Sequence, residues 1–474
     1  MKILHTSAEY FPYIKVGGLS DMLASLSKYQ SDIHEVHIAL PLLNNFKAMI
    51  NFSGKEYPAL LDEDFYTTDA CLTLSKSKFL HSKIENINLY FFHSEIFLQN
   101  EKIYGNTNEL YSFALFSYAC YTLGIILNID IIHAHDWHTS LACVINGIKP
   151  NGKPSVFTIH NLAYQGDHPF WMTGFLKVDP FNIQLEDLAN YEKVNYMKGA
   201  LLYAKEIATV SPGYRDEVLH EPAGCHLSWL LKERHDSFTG ILNGIDEKEW
   251  SPIYDKNIYI NYSKEDVDIG KLRNKEELYK QYGLKIDPSR PLIGSVGRLT
   301  YQKGYETFLS SFKQVTNLPF YYFILGSGET NIEGTFFHES HHSSNRLFFY
   351  KGFDEILARK IEAASDFFLM PSLFEPCGLN QLYSHAYGSI PIVSRIGGLK
   401  DSVQESAEIQ YLTGFLFEPG LDHSLNYALA RAFDLYSRKE DLSIVRKKIM
   451  NLDWSWKRRE IEYERLYKKA LSKK

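Results

Sequence analysis

Residues 1–40 run MKILHTSAEYFPYIKVGGLSDMLASLSKYQSDIHEVHIAL, and this stretch decides the fold class. Ile3-Leu4 belongs to a short strand-like run, and the pair Gly17-Gly18 then marks a turn. Leu19, Met22, Leu23 and Leu26 follow at helical spacing, and residues 35–40 return to a strand pattern. Strand, glycine turn, helix and strand make one α/β unit. Further strand candidates at 129–133, 156–159 and 207–210 are separated by helical patterns, which predicts a mainly parallel sheet covered on both faces.

A second series begins after Trp250-Ser251-Pro252, with strand candidates at 292–296, 321–325, 366–370 and 390–393. A helical pattern through Ile356, Leu357, Ile361 and Ala364 lies between them. The expected organisation is therefore α/β in two domains, 1–245 and 246–453, followed by a charged helix over 454–474. Its apolar side chains include Ile461, Leu466 and Tyr467. A length of 474 residues also exceeds the usual span of one hydrophobic core.

Composition narrows the class. With 45% hydrophobic and 23% charged residues, the chain has the makeup of a globular enzyme rather than a disordered one. Fifty Lys and Arg against 57 Asp and Glu give a formal charge of −7, so no global attraction to nucleic acid or an anionic membrane is expected. Five scattered cysteines signal neither a disulfide framework nor a structural zinc site. The N-terminus shows no signal-peptide pattern, and a cytoplasmic location is expected. Residues 110–129 carry no charged side chain and approach spanning length, but their Ser, Thr, Gly and Tyr content favours a buried core helix.

Five segments carry candidate chemistry. Lys15-Val16-Gly17-Gly18 places a cation beside a tight turn and the unpaired first amides of a helix, which suits an anion; Gly397-Gly398 repeats the device in the second half. Arg298 and Lys303 flank Leu299-Thr300-Tyr301-Gln302 just after the strand candidate 292–296, where an α/β sheet opens onto its ligand crevice. A planar guanidinium and a compact ammonium there suit a diphosphate and can neutralise it as it departs. Ile132-His133-Ala134-His135-Asp136-Trp137-His138 lacks the spacing of a helical metal site, so no metal is expected, and Asp136 is assigned to a polar patch near a sugar hydroxyl or acceptor. His160 ends a strand where one ring nitrogen can meet a sugar hydroxyl. Glu375, in Phe374-Glu375-Pro376-Cys377-Gly378, can accept from sugar hydroxyls or face a developing oxocarbenium ion, with Cys377 lining the same pocket.

Together these motifs strongly resemble the bacterial and plant starch/glycogen synthases. The likeness is carried in order by Lys15-Val16-Gly17-Gly18-Leu19, His133-Ala134-His135-Asp136-Trp137-His138, His160-Asn161-Leu162-Ala163-Tyr164-Gln165-Gly166, Asn243-Gly244-Ile245-Asp246, residues 298–304, Glu375-Pro376-Cys377-Gly378-Leu379 and Thr413-Gly414-Phe415. It implies two facing Rossmann-like domains, an active-site cleft between them and a C-terminal helix crossing back to the first. It also implies a retaining transfer of glucose from a nucleotide diphosphate sugar, ADP-glucose or UDP-glucose with the former favoured, to an α-1,4-glucan, without a cofactor. By position, Lys15, Gly17 and Gly18 would meet the donor nucleotide or its phosphates. Arg298 and Lys303 would bind the diphosphate, and His160 and Glu375 the transferred glucose. Asp136 would lie toward the acceptor, and Gly397, Gly398 and Leu399 would form a wall of the donor pocket.

The departures from the family pattern are Gly297, where Ser is frequent, Asn380, where Thr is frequent, and the segment 97–111. Three other classes stay open at this stage. They are a glucan phosphorylase, a dehydrogenase lacking the fuller GxGxxG pattern, and a non-catalytic carbohydrate-binding protein.

Overall fold

Alternation along the first strand sets the two faces of the N-terminal sheet. In the computed structural model Ile3 packs with the helices Gly18–Gln30 and Trp456–Ser472, whereas Leu4 joins the larger core on the opposite face. The structure describes residues 1–61, 67–174, 185–191, 193–284, 287–315, 318–343 and 345–473. They form two compact units, Met1–Asn243 with Trp456–Lys474, and Gly244–Ser455.

The strands of the first unit are β1 (Lys2–Thr6), β2 (Glu35–Pro41), β3 (Phe52–Pro58), β4 (Lys78–Ile84), β5 (Ile87–His93), β6 (Ile131–His135), β7 (Ser155–Ile159), β8 (Asp167–Pro169), β9 (Ala189–Asn190), β10 (Lys193–Asn195), β11 (Glu206–Thr209) and β12 (Phe238–Gly240). Nine of them form one sheet in the order β12-β11-β7-β6-β1-β2-β5-β4-β3, and β8, β10 and β9 form a small separate one. The pairs from β12 through β5 are parallel. The edge pairs β4–β5 and β3–β4 are antiparallel, an extension that the sequence reading did not anticipate. The strand expected at 129–133 lies two residues later, because Asn128 takes a left-handed φ of 47° and Asp130 caps the start of β1 through the Lys2 amide.

Helix Glu109–Ile126 is long and apolar enough to cross a membrane, but 78% of it is buried against the rest of the chain. It packs on the sheet face that holds Leu4, Ala134 and Phe157. The C-terminal helix contacts helix Gly18–Gln30, β7 and β11, burying Trp456, Tyr463, Leu466 and Tyr467. Ile461, counted among its apolar residues from the sequence, is 47% exposed because it falls on the outer face of that helix.

The second unit holds β13 (Leu292–Val296), β14 (Tyr321–Gly326), β15 (Leu347–Lys351), β16 (Phe367–Met370), β17 (Ile390–Ser394) and β18 (Phe415–Phe417), ordered β15-β14-β13-β16-β17-β18. All five pairings are parallel. Counted within the unit, this is the 3-2-1-4-5-6 order of a Rossmann sheet. Successive residues alternate between two apolar layers, with Ile293, Phe367 and Ile392 on one side and Leu292, Phe368 and Val393 on the other. In each unit the strand order reverses beside the first strand, between β1 and β6 and between β13 and β16. Ligands of open α/β sheets bind at such switch points, beyond the carboxyl ends of the strands.

Candidate active site

At the switch point of the first unit, three strand ends converge. β1 runs into Ser7-Ala8-Glu9, β6 into Asp136 and β7 into His160. The Thr139 hydroxyl clamps two of these ends, donating to Thr6 O at 3.0 Å and accepting from the His135 amide at 2.9 Å. Asp136 itself sits at φ 55°, ψ 178°, a region almost reserved for glycine and costing about 1–3 kcal/mol. What holds it there is a set of three bonds. Its amide donates to Thr158 O at 3.0 Å, and its Oδ1 accepts from the amides of His160 at 2.7 Å and Asn161 at 3.3 Å.

Burial pushes the Asp136 carboxyl up to about 7, with the neighbouring Glu9 charge adding to the rise. Burial also holds the His160 imidazole down at about 3, so the ring is neutral at physiological pH. A carboxyl raised above its ordinary value stabilises the fold fully below about pH 3.8 and loses that contribution as pH rises through about 7. Asp136→Asn keeps an oxygen for both amides but cannot ionise. Its urea-unfolding midpoint is therefore expected to fall less than that of the wild type between about pH 5 and pH 8. An equal fall in both proteins would remove Asp136 as the source.

The glycine turn of this unit differs from expectation in its bonding. The buried Glu9 carboxylate accepts from the amides of Val16 and Gly17, both at 2.8 Å, and from the Tyr104 hydroxyl at 2.7 Å. The Gly17 amide expected to face an anion is thus already satisfied by a carboxylate of the chain. Lys15 lies 3.0 Å from Asp21, on the first turn of helix Gly18–Gln30, and its ammonium stands 4.9 Å from the Phe11 ring centroid. Gly18 opens that helix. Neither Glu9 nor Tyr104 was singled out in the sequence, since a lone carboxylate three residues past a strand carries no pattern.

In the second unit Lys303, Glu375 and the Gly397-Gly398 turn come together. Lys303 Nζ meets Glu375 Oε2 at 2.6 Å, and the Ser372 hydroxyl donates to the same oxygen at 3.0 Å. The two loops that carry them are joined along the backbone, Leu373 N donating to Gln302 O at 2.8 Å. That approach requires Gly304, whose φ is 63° and whose absent Cβ would lie 1.9 Å from Pro371 O. The second glycine turn closes on the same loop. Gly398 N donates to Glu375 O at 3.2 Å, and a Cβ on Gly397, at φ 39°, would lie 2.0 Å from that oxygen.

Arg298 is exposed at the end of β13, with no ion-pair partner among the described residues. Cys377 is buried beside Gly398, while Leu399 is wholly buried in the apolar layer with Val393 and Met370. Any share of Leu399 in a pocket wall therefore falls to its backbone. Asn380, where the family often has Thr, donates to Val296 O at 2.8 Å and fastens the Glu375 loop to the end of β13. The chemistry on offer is a bare guanidinium and an ammonium–carboxylate pair on short, mutually bonded loops.

The chain's comparisons with known proteins point one way. Residues 2–233 match the family model described as starch synthase catalytic domain, and residues 278–448 match glycosyl transferases group 1. A glycogen synthase of Leptospira biflexa is 54% identical over 99% of both chains, and one of Bacillus licheniformis 35% identical over 99% of this chain and 98% of its own. The catalytic domain of starch synthase IV from Arabidopsis thaliana, solved with ADP and acarbose, superposes with a TM-score of 0.88 at 31% identity, covering 99% of each chain. A sucrose-phosphate synthase from Thermosynechococcus elongatus shares the fold at a TM-score of 0.63 and 16% identity.

Proposed function

Because the chain belongs to the glycogen/starch synthase family of retaining, nucleoside-diphosphate-glucose-dependent glycosyltransferases, we propose that it moves glucose from ADP-glucose to the non-reducing end of an α-1,4-glucan. The configuration at the anomeric carbon is retained and ADP is released. The observation that carries this reading is the Lys303–Glu375 pair, with the exposed guanidinium of Arg298, on the loops that follow β13 and β16. The Arabidopsis relative, crystallised with ADP and the oligosaccharide acarbose, favours an adenine nucleotide and a glucan.

In this mechanism the bond between C1 of glucose and the β-phosphate oxygen breaks as the acceptor O4 attacks C1. Arg298 and Lys303 stabilise the negative charge that collects on the departing diphosphate, and a diphosphate oxygen takes the O4 proton. Glu375 and His160 hold the glucose hydroxyls, so the reacting centres are aligned before the bond breaks. Glu375 also faces the positive charge developing on the ring. Asp136 orients the acceptor side. Lys15 and the Gly17-Gly18 turn meet the nucleotide or its phosphates, Gly17 by its lack of a side chain since its amide is bonded to Glu9, and Gly397, Gly398 and the Leu399 backbone wall the donor site.

The decisive assay supplies glycogen with ADP-glucose or UDP-glucose and follows diphosphate release together with polymer growth. ADP release matched by glucose incorporation, with UDP-glucose a poor donor, is the expected result. Equal use of both sugars would overturn the donor assignment, and release without growth would overturn the acceptor.

A further inference from the structure

Four histidines share one side of the N-terminal sheet, and three of them have no contact with solvent. His5, His133 and His135 are wholly buried beneath helices Gly18–Gln30 and Trp456–Ser472, while His160 is half-buried at the end of β7. Burial lowers all four, His5 to about 4 and His160 to about 3, and repulsion from the neighbouring rings helps hold His133 and His135 well below the ordinary histidine value. Each ring is therefore neutral and carries one proton. His160 Nε2 lies 3.0 Å from His135 Nδ1, and His135 Nε2 lies 3.0 Å from His5 Nδ1. His5 Nε2 lies 2.8 Å from the carbonyl oxygen of Gln30.

A carbonyl oxygen can only accept, so His5 must carry its proton on Nε2. Its bare Nδ1 then requires Nε2–H on His135, and the bare Nδ1 of His135 requires Nε2–H on His160. One amide thus decides three rings. In the structure the amide turns its Nε2 to the C-terminal helix, where it donates to the Tyr467 hydroxyl at 3.0 Å. That hydroxyl lies 2.8 Å from His133 Nδ1, whose other nitrogen is 2.6 Å from the Thr158 hydroxyl. One ring nitrogen from each of His5, His133 and His135 lies within 4.8 Å of the others, as three metal ligands would. All six ring nitrogens of these residues are taken in this network, so neutral hydrogen bonds account for the cluster without an ion.

We propose that His135, His5, Gln30 and Tyr467 form a positioning relay that fixes the tautomer of His160, leaving its Nδ1 as a bare acceptor. That nitrogen has no partner among the described residues. Resting on the reading that His160 meets the transferred glucose, the relay makes the ring accept from a sugar hydroxyl rather than donate to it. The hydroxyl is thereby oriented before transfer. His135, His5, Gln30 and Tyr467 touch no substrate; they act through His160.

The test is histidine ¹⁵N NMR on the whole protein, with kinetics on ADP-glucose and glycogen. In the wild type, His160, His135 and His5 are expected to show protonated Nε2 and unprotonated Nδ1. Gln30→Leu removes the deciding carbonyl. It should let His160 sample both tautomers and lower kcat/KM for the donor about fivefold to tenfold, the worth of one hydrogen bond of the right polarity. Gln30→Glu, protonated by burial, still accepts from His5 and donates to Tyr467, and should restore both the tautomer and most of the rate. Tyr467→Phe should act like Gln30→Leu.

A purely structural role would shift the melting temperature of Gln30→Leu and Tyr467→Phe without moving the His160 signals, and that result overturns the relay. A wild-type His160 protonated on Nδ1, or stoichiometric zinc in the purified protein, overturns it as well. If the tautomers are as stated but His160→Ala leaves kcat/KM unchanged, the relay stands and the sugar contact fails.

Discussion

Replacing Lys303 with alanine is expected to lower kcat/KM for the nucleotide sugar by about a hundredfold to a thousandfold, which is the usual loss when a preorganised partner of transition-state charge is deleted. The free enzyme already displays the arrangement, with the ammonium 2.6 Å from Glu375. The diphosphate carries more negative charge as it leaves than while it is esterified, so the ammonium contributes most in the transition state and the loss should fall mainly on kcat. KM for glycogen should stay close to the wild-type value. Folding has to be followed alongside, because the Lys303 side chain is only 23% exposed and the 9% exposed Glu375 carboxylate loses its countercharge. Initial rates of ADP release at saturating glycogen, with circular dichroism as a check on the fold, measure the outcome. Unchanged turnover together with an unchanged donor KM would take Lys303 out of the catalytic machinery.

The second large effect concerns a residue with no side chain at all. Gly304→Ala should destabilise the protein by about 3 kcal/mol, roughly 1 for alanine in the left-handed region and roughly 2 for forcing a methyl group into the Pro371 carbonyl. The clash leaves no mild escape, since 1.9 Å is far inside contact and the obstructing atom belongs to the backbone. The two loops must part, and the Leu373–Gln302 bond and the Lys303–Glu375 pair part with them. Activity should therefore fall beyond what stability alone explains. Gly283→Ala is the control. Its φ of 66° is similar, but nothing lies within 4 Å of the new methyl, so it should cost only about 1 kcal/mol. Urea unfolding of both variants separates the contributions, and equal costs would mean that the loop approach at Pro371 is soft.

Much of this architecture was legible from residues close together in the chain. The strands of the second unit announced themselves through runs such as Leu292–Val296, and the positions of Arg298, Lys303 and Glu375 followed because loops after parallel strands face the ligand side of the sheet. The edge hairpin of β4 and β5 stayed hidden. Its turn places Glu85 at φ 50° instead of using a glycine there, and its neighbour β3 is largely exposed with Ser53, Gly54, Lys55 and Glu56 in succession, so neither turn chemistry nor an apolar partner strand marked it. The glycine turn at Gly17 was visible, but the carboxylate that bonds it was not. The histidine-rich stretch stands out in the sequence, but its hydrogen-bond network does not. Its partner Gln30 bonds Tyr467 across 437 positions, and no local pattern carries a pairing of that separation.

That separation bears on how the protein is made. Tyr467 leaves the ribosome only after the entire second unit, yet it completes the hydrogen bonding of Gln30 and His133 deep inside the first. A nascent N-terminal half can pair its strands early, but until the last helix docks it holds unsatisfied polar groups and an uncovered apolar sheet face, which is the kind of surface chaperones bind. A chain cut short before residue 456 would carry every side chain proposed to act on the donor and still be unable to finish its first core.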